Sequence, residues 1–144
     1  MVFVYKGDIM GKPRMTQRDK WAKRPCVTRY RDIATEMREQ ANEQCYTPYP
    51  SIKAIIGIKM PKSWTKKKKR EMLGKPHQQR PDVDNITKAI MDILCKEDSF
   101  IYHIDIKKFW SEESIVLLEN KGNGEEDRFD FGHYLQGNPG KSLG

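Results

Sequence analysis

Ile52, Ala54, Ile55, Ile56 and Ile58 form an apolar, largely β-branched run held between Pro50 and Pro61. That length and character belong to a strand buried in a sheet. The best-patterned helix follows Pro81, where Ile86, Ala89, Ile90, Ile93 and Leu94 occupy positions i, i+3, i+4, i+7 and i+8 and so make one core-facing stripe. A second helix is predicted from Thr28, which can cap it. Its stripe is Tyr30, Ile33, Ala34, Met37 and Ala41, and it ends before Pro48.

The remaining segments fill in an α/β (α+β) domain. Val2, Phe3, Val4 and Tyr5 suit a first strand that stops at Gly7. Phe100 to Trp110 alternates, with Phe100, Tyr102, Ile104 and Ile106 on one side and His103, Asp105 and Lys107 on the other. Ser114 to Leu118 is expected as its antiparallel neighbour. Ser63, Trp64 and Thr65 lead into a short capped helix through Lys66 to Leu73, stopped at Gly74 and Pro76. Met10 to Val27 has no period and reads as a basic arm. The expected organisation is one domain over 1–120, a mixed sheet with helices packed on it, then a flexible or loosely docked tail over 121–144. A chain of 144 residues has room for no second domain and can bury roughly two-thirds of the surface its unfolded form exposes.

Charge points to a polyanion. The net charge is +7, and the cations are concentrated in Lys12 to Arg31 and Lys62 to Arg80, while Glu112 to Asp130 leans acidic. Lys and Arg that neutralise phosphates release condensed counterions, so a field of this kind fits DNA as well as it fits a solvated surface. Lys12, Arg14, Lys66, Lys67, Lys68, Lys69, Arg70 and Arg80 are the candidate phosphate contacts. No apolar stretch approaches the roughly 20 residues that cross a bilayer, so a soluble, cytoplasmic protein is expected. Cys26, Cys45 and Cys95 are widely separated, with neither a disulfide framework nor metal-ligand spacing, and read as free thiols, Cys95 partly buried at a helix end.

The segment Arg80, Pro81, Asp82, Val83, Asp84, Asn85, Ile86, Thr87, Lys88 places polar groups where packing does not require them. Asp82 and Asp84 are two apart in what should be extended backbone, so both carboxylates can point one way. Asp84 is also placed to cap the helix, and Lys88 follows one turn on, opposite the apolar stripe. If the chain turns back after Leu94, Asp98 brings a third acid to the same face. Clustered acids repel unless a cation sits among them, and hard oxygen ligands suit Mg²⁺ or, as its substitute, Mn²⁺. A capping turn with an ordinary Asp84–Lys88 ion pair is the competing structural reading. Asp92 is expected as a structural partner of Lys88, and His77, His103 and His133 as loop or surface residues.

PDVDNITKAIMDIL followed by KEDSFIYHIDIKKF resembles the RusA family of Holliday junction resolvases. In that pattern a PDxDN segment, a lysine four residues later and an acidic pair before a strand make the active site. Lys12, Pro13 and Arg14 after the first strand, the arm leading to Val27 and the Pro61 to Trp64 segment are similar to family features, over roughly residues 1–118. The resemblance implies Asp82, Asp84 and Asp98 as magnesium ligands and Lys88 as a catalytic residue. It also implies a homodimer that hydrolyses four-way or other branched DNA in recombination and repair, in a host or a phage. Glu97 and Asp98 stand where the family usually has two aspartates, and the Leu94 to Glu97 segment is shorter than the pattern.

Two other readings make separate predictions. Pro81 and Asp82 with Asp105, Ile106 and Lys107 fit a PD-(D/E)xK nuclease, which leaves Asp84, Asn85 and Lys88 without a role. A non-catalytic DNA-binding protein would use Lys66 to Arg70 and the arm alone, without need of a metal.

Overall fold

A computed structural model describes residues 2–14 and 24–135 of the protein. The middle of the basic arm, 15–23, and the end of the tail, 136–144, lie outside the described residues. The elements run β1 (Val2–Lys6), α1 (Pro25–Glu43), β2 (Ser51–Lys59), α2 (Lys66–Met72), α3 (Val83–Leu94), β3 (His103–Ser111), β4 (Ile115–Gly122) and α4 (Phe131–Leu135). No helix among the described residues is long and apolar enough to cross a membrane.

The four strands form one mixed sheet in the order β1-β4-β2-β3, with β2 and β3 parallel and the other pairs antiparallel. A parallel neighbour needs a long crossover, and residues 60–102, carrying α2 and α3, supply it. Phe3 and Tyr5, Ile52, Ala54 and Ile56, and Val116 and Leu118 point to the face that α1 and α3 cover with the two stripes read from sequence. The core is therefore a two-layer sandwich of helix on sheet.

Three local expectations are corrected. The first helix begins at Pro25, not Thr28, because proline at the first position gives up an N–H that has no helical partner and brings its own helical φ. The strand expected from Phe100 begins at His103; Phe100 and Tyr102 are exposed, and the Tyr102 and His103 amides turn to the Pro50 carbonyl. The Ser114 to Leu118 strand is not a neighbour of β3. It extends to Gly122 and lies on the far side of β2, between β2 and β1. The turn from β3 to β4 thus passes across β2, and Gly57 makes the passage possible: a Cβ there would lie 2.6 Å from Ile115 and 3.0 Å from Ser111.

Both outer edges of the sheet are covered, β1 by side chains and β3 by a backbone segment. On β1, Gln44 accepts from the Val4 amide (3.0 Å) and donates to the Val4 carbonyl (2.7 Å), and Gln40 does the same for Lys6 at 2.9 and 3.0 Å. One glutamine per turn of α1 thereby stands in for a neighbouring strand and protects the edge. On β3, the Gly74–His77 segment bonds along Lys108 and Trp110. His77, expected as a loop or surface residue, lies between the named elements but is buried there, edge-on to Trp110 at 4.3 Å between ring centres. Trp64 packs on the same indole, and the Lys68 ammonium lies 4.4 Å from the Trp64 ring, which ties α2 to the domain.

Candidate functional site

The chain reaches α3 through Arg80 and Pro81, and the helix starts earlier than expected. The Ile86 amide bonds to the Asp82 carbonyl at 3.0 Å, so Asp82 is the N-cap in extended conformation and Asp84 is already in the first turn. Burying Ile86 on the core face sets this register. The Asp82 side chain makes no capping hydrogen bond. Asp84 gains instead from the positive end of the helix dipole. Both carboxylates are exposed, and neither has a hydrogen bond or ion pair among the described residues. In particular, no ion pair joins Asp84 to Lys88, so the ordinary i, i+4 pairing does not account for them.

Lys88 stands exposed one turn beyond Asp84. It lines a cleft of about 250 Å³ with Lys12, Met91, Asp92, Cys95, Lys96, Glu97 and Asp98. Asp98 therefore shares a surface with Lys88. It is close enough to Cys95 that burial first, and then the Asp98 charge, push the thiol up. Asp82 and Asp84 do not line this cleft. They sit at the N-terminal end of α3 and Asp98 lies beyond its C-terminal end, and the helix between is about 18 Å long. Among the described residues no three His, Cys, Asp or Glu side chains gather to hold a metal. The structure puts Lys88 and Asp98 on one cleft, and Asp82 and Asp84 two residues apart at the start of the helix that carries Lys88.

Asp92 does not partner Lys88. It accepts from the Tyr30 hydroxyl at 2.6 Å and from the Lys12 ammonium at 3.0 Å, and the Lys12 amide reaches the Asn85 carbonyl. Gly11 lets this strand of the loop lie on α3, since a Cβ there would be 2.9 Å from that of Asn85. The base of the arm is thus fastened to the helix that carries Asp84. Lys12 is committed to this ion pair but is still partly exposed. Arg14 is exposed, and its carbonyl accepts from Arg24.

Burial would raise the Asp92 carboxyl, but the Tyr30 hydroxyl and Lys12 outweigh it and hold the group below the usual carboxylate range. A carboxylate depressed on folding adds stability that is complete above its unfolded value, near 4, and is lost as pH falls through the lower folded value. The melting temperature gap between the parent and Asp92→Ala is therefore expected to be widest near neutral pH and to close below about pH 4. A gap that stays constant down to pH 2 would disprove this linkage.

The PD-(D/E)xK arrangement does not form. Asp105 and Lys107 alternate with Ile104 and Ile106, whose side of β3 faces the helices, so the sheet separates both charges from Asp82. On that open face Lys53 lies between Asp105 and Glu119 in register. The basic helix is as expected: Thr65 caps α2 by accepting from the Lys68 amide at 3.1 Å, and Lys66, Lys67, Lys68 and Arg70 are exposed. Arg80, beside the acidic turn, is exposed as well.

Sequence reasoning missed Lys108. Its ammonium bonds to the carbonyl oxygens of Gln79 and, at 2.7 Å, of Pro81. The available signal was its phase, since Ile104, Ile106, Lys108 and Trp110 share the helix-facing side of β3.

A family model described as Endodeoxyribonuclease RusA matches residues 7–119. No individual curated protein matches the chain. The matched span contains Asp82, Asp84, Lys88 and Asp98, and it ends within β4.

Proposed function

The chain belongs to the RusA endodeoxyribonuclease family, hydrolases that resolve Holliday junctions, and from that premise we propose a Mg²⁺-dependent enzyme acting as a homodimer on four-way and related branched DNA. The observation that carries the reading is the pair of exposed carboxylates at Asp82 and Asp84, with no partner among the described residues, at the start of α3. Such oxygen donors fit a hard divalent cation. Mg²⁺ in particular is commonly held by one or two carboxylates, with waters and substrate phosphate oxygens filling the other positions, so a complete protein cage is not required. Asp82 and Asp84 are the proposed holders; Asp98, beyond the other end of α3, is left out of the ligand set within one chain. When bound, the ion supplies an activated water and polarises the scissile phosphate.

The chain's own groups do the rest. Lys88, one turn beyond Asp84 and on the Asp98 cleft, offsets charge that builds on the phosphoryl oxygens as water adds to phosphorus and a sugar oxygen leaves. Arg80 and the exposed face of α2, Lys66 to Arg70, hold the flanking backbone, with Lys12 and Arg14 at the base of the arm. Two copies would bring two such sites to the two strands that must be cut.

The test is incubation of the protein with labelled four-way junction and with linear duplex, with and without Mg²⁺. Paired symmetric nicks in the junction alone, only with the ion, are the expected result. Equal cutting of both DNAs, or none, would overturn the reading. Neutralising Lys66, Lys67, Lys68, Lys69 and Arg70 together is expected to flatten the salt dependence of junction binding by about 0.9 in log–log slope for each phosphate that is no longer neutralised. An unchanged slope would return α2 to the role of a solvated face.

A further inference from the structure

We propose that Lys108 is a positioning residue for the Asp82 carboxylate, a role that rests on Asp82 being a metal ligand. The approach to the acidic turn is tethered in two stages. As far as His77 it is held by backbone bonds along β3: Gly74 to Trp110, Trp110 to Lys75, and His77 to Lys108. From Gln78 to Pro81 those backbone bonds stop, and Pro81 has no N–H to offer. Over that stretch, the hydrogen bonds among the described residues are those from the Lys108 ammonium to Gln79 and Pro81.

The Pro81 carbonyl belongs to the rigid peptide plane that runs to the Asp82 Cα, so fixing its oxygen fixes where that Cα lies. The next plane is held by the Ile86 amide on the Asp82 carbonyl, and with both planes held the Cα–Cβ bond of Asp82 has a set direction. Asp82 is exposed and its side chain makes no cap, so its own contacts do not aim it. Lys108 is well suited to the task. Its backbone lies in the β2–β3 ladder, its side chain is half-buried, and an ammonium can donate to two carbonyls at once. The strand thus transmits the rigidity of the sheet to the start of α3. Residues that orient a metal's ligands typically change metal affinity or activity by 10–100-fold when removed.

The test uses the full chain with Lys108→Met, Lys108→Arg and Asp82→Asn, each read by Mn²⁺ binding from the resonance signal of the free ion and by junction cleavage. Lys108→Met is expected to weaken Mn²⁺ binding about tenfold and to slow cleavage at least as much, with metal-free junction binding unchanged. Lys108→Arg, which keeps charged donors, should recover most of both. Combined with Asp82→Asn, Lys108→Met should add nothing further. A folded Lys108→Met with parental Mn²⁺ affinity overturns the proposal. If Lys108→Met and a Lys108→Gln alternative both fail to fold while Asp82→Asn folds, the lysine is structural and the proposal is wrong. Normal cleavage by Asp82→Asn would instead overturn the underlying site, so the two failures are distinct.

Discussion

Asp84→Asn is expected to bind four-way junctions as the parent does and to cut them about a hundredfold or more slowly, a loss of about 2.7 kcal/mol in transition-state stabilisation. Asparagine keeps the size of the side chain and removes its charge. The carboxylate is exposed and touches no partner among the described residues, so the fold should lose no more than the helix-dipole contribution, under about 1 kcal/mol. A small change in stability beside a large change in rate separates a functional acid from a structural one. Quench-flow or gel assays on a labelled junction, with binding measured in the absence of metal, give both quantities. If Asp84→Asn cuts at the parental rate, the site has been placed on the wrong residues.

Ile86→Ala should show the opposite behaviour. Ile86 is fully buried in the first turns of α3, among the side chains of the main core. Truncating such a side chain removes transfer energy and leaves a cavity, at a cost of about 2–5 kcal/mol. That is a large share of the 5–15 kcal/mol typical of a domain, and the melting temperature should fall by roughly 5–15 °C. Below that temperature the molecules that remain folded should still cleave, because Ile86 faces away from Asp84 and Lys88. Ile86→Val should cost only about 0.5–1.5 kcal/mol. Denaturant titration checks the series; a loss below about 1 kcal/mol for the alanine variant would mean that the face is not tightly packed.

The contrast between these variants reflects what was readable in the chain. The stripes of α1 and α3, the run of β2 and the short capped helix after Ser63, Trp64 and Thr65 were visible, because periodicity and capping depend on residues within a turn or two of one another. The acidic turn and Lys88 stood out for the same reason: they lie close together on one short segment. Even there the helix start was misplaced, since Asp82 and Asp84 are both competent caps and the burial of Ile86 chose between them.

Meetings between distant segments were not readable. Asp92 was expected to pair with Lys88, one turn away, yet it bonds Tyr30 and Lys12, which the folding of α1 and the arm brings to it. His77 looked like a loop histidine until Trp110 covered it. The strand after β3 was expected beside it, but β4 lies across β2, where the absence of a side chain at Gly57 leaves a way through.

Composition and spacing alone were therefore enough to establish a basic helix-on-sheet domain, the faces it buries, and the acidic turn with its lysine. The order of the strands, the separation of Asp98 from Asp82 and Asp84, and the grip of Lys108 on Pro81 came from the folded chain. Each of these joins or parts residues far from one another in sequence, and such relations follow from how whole layers pack, which no local pattern encodes.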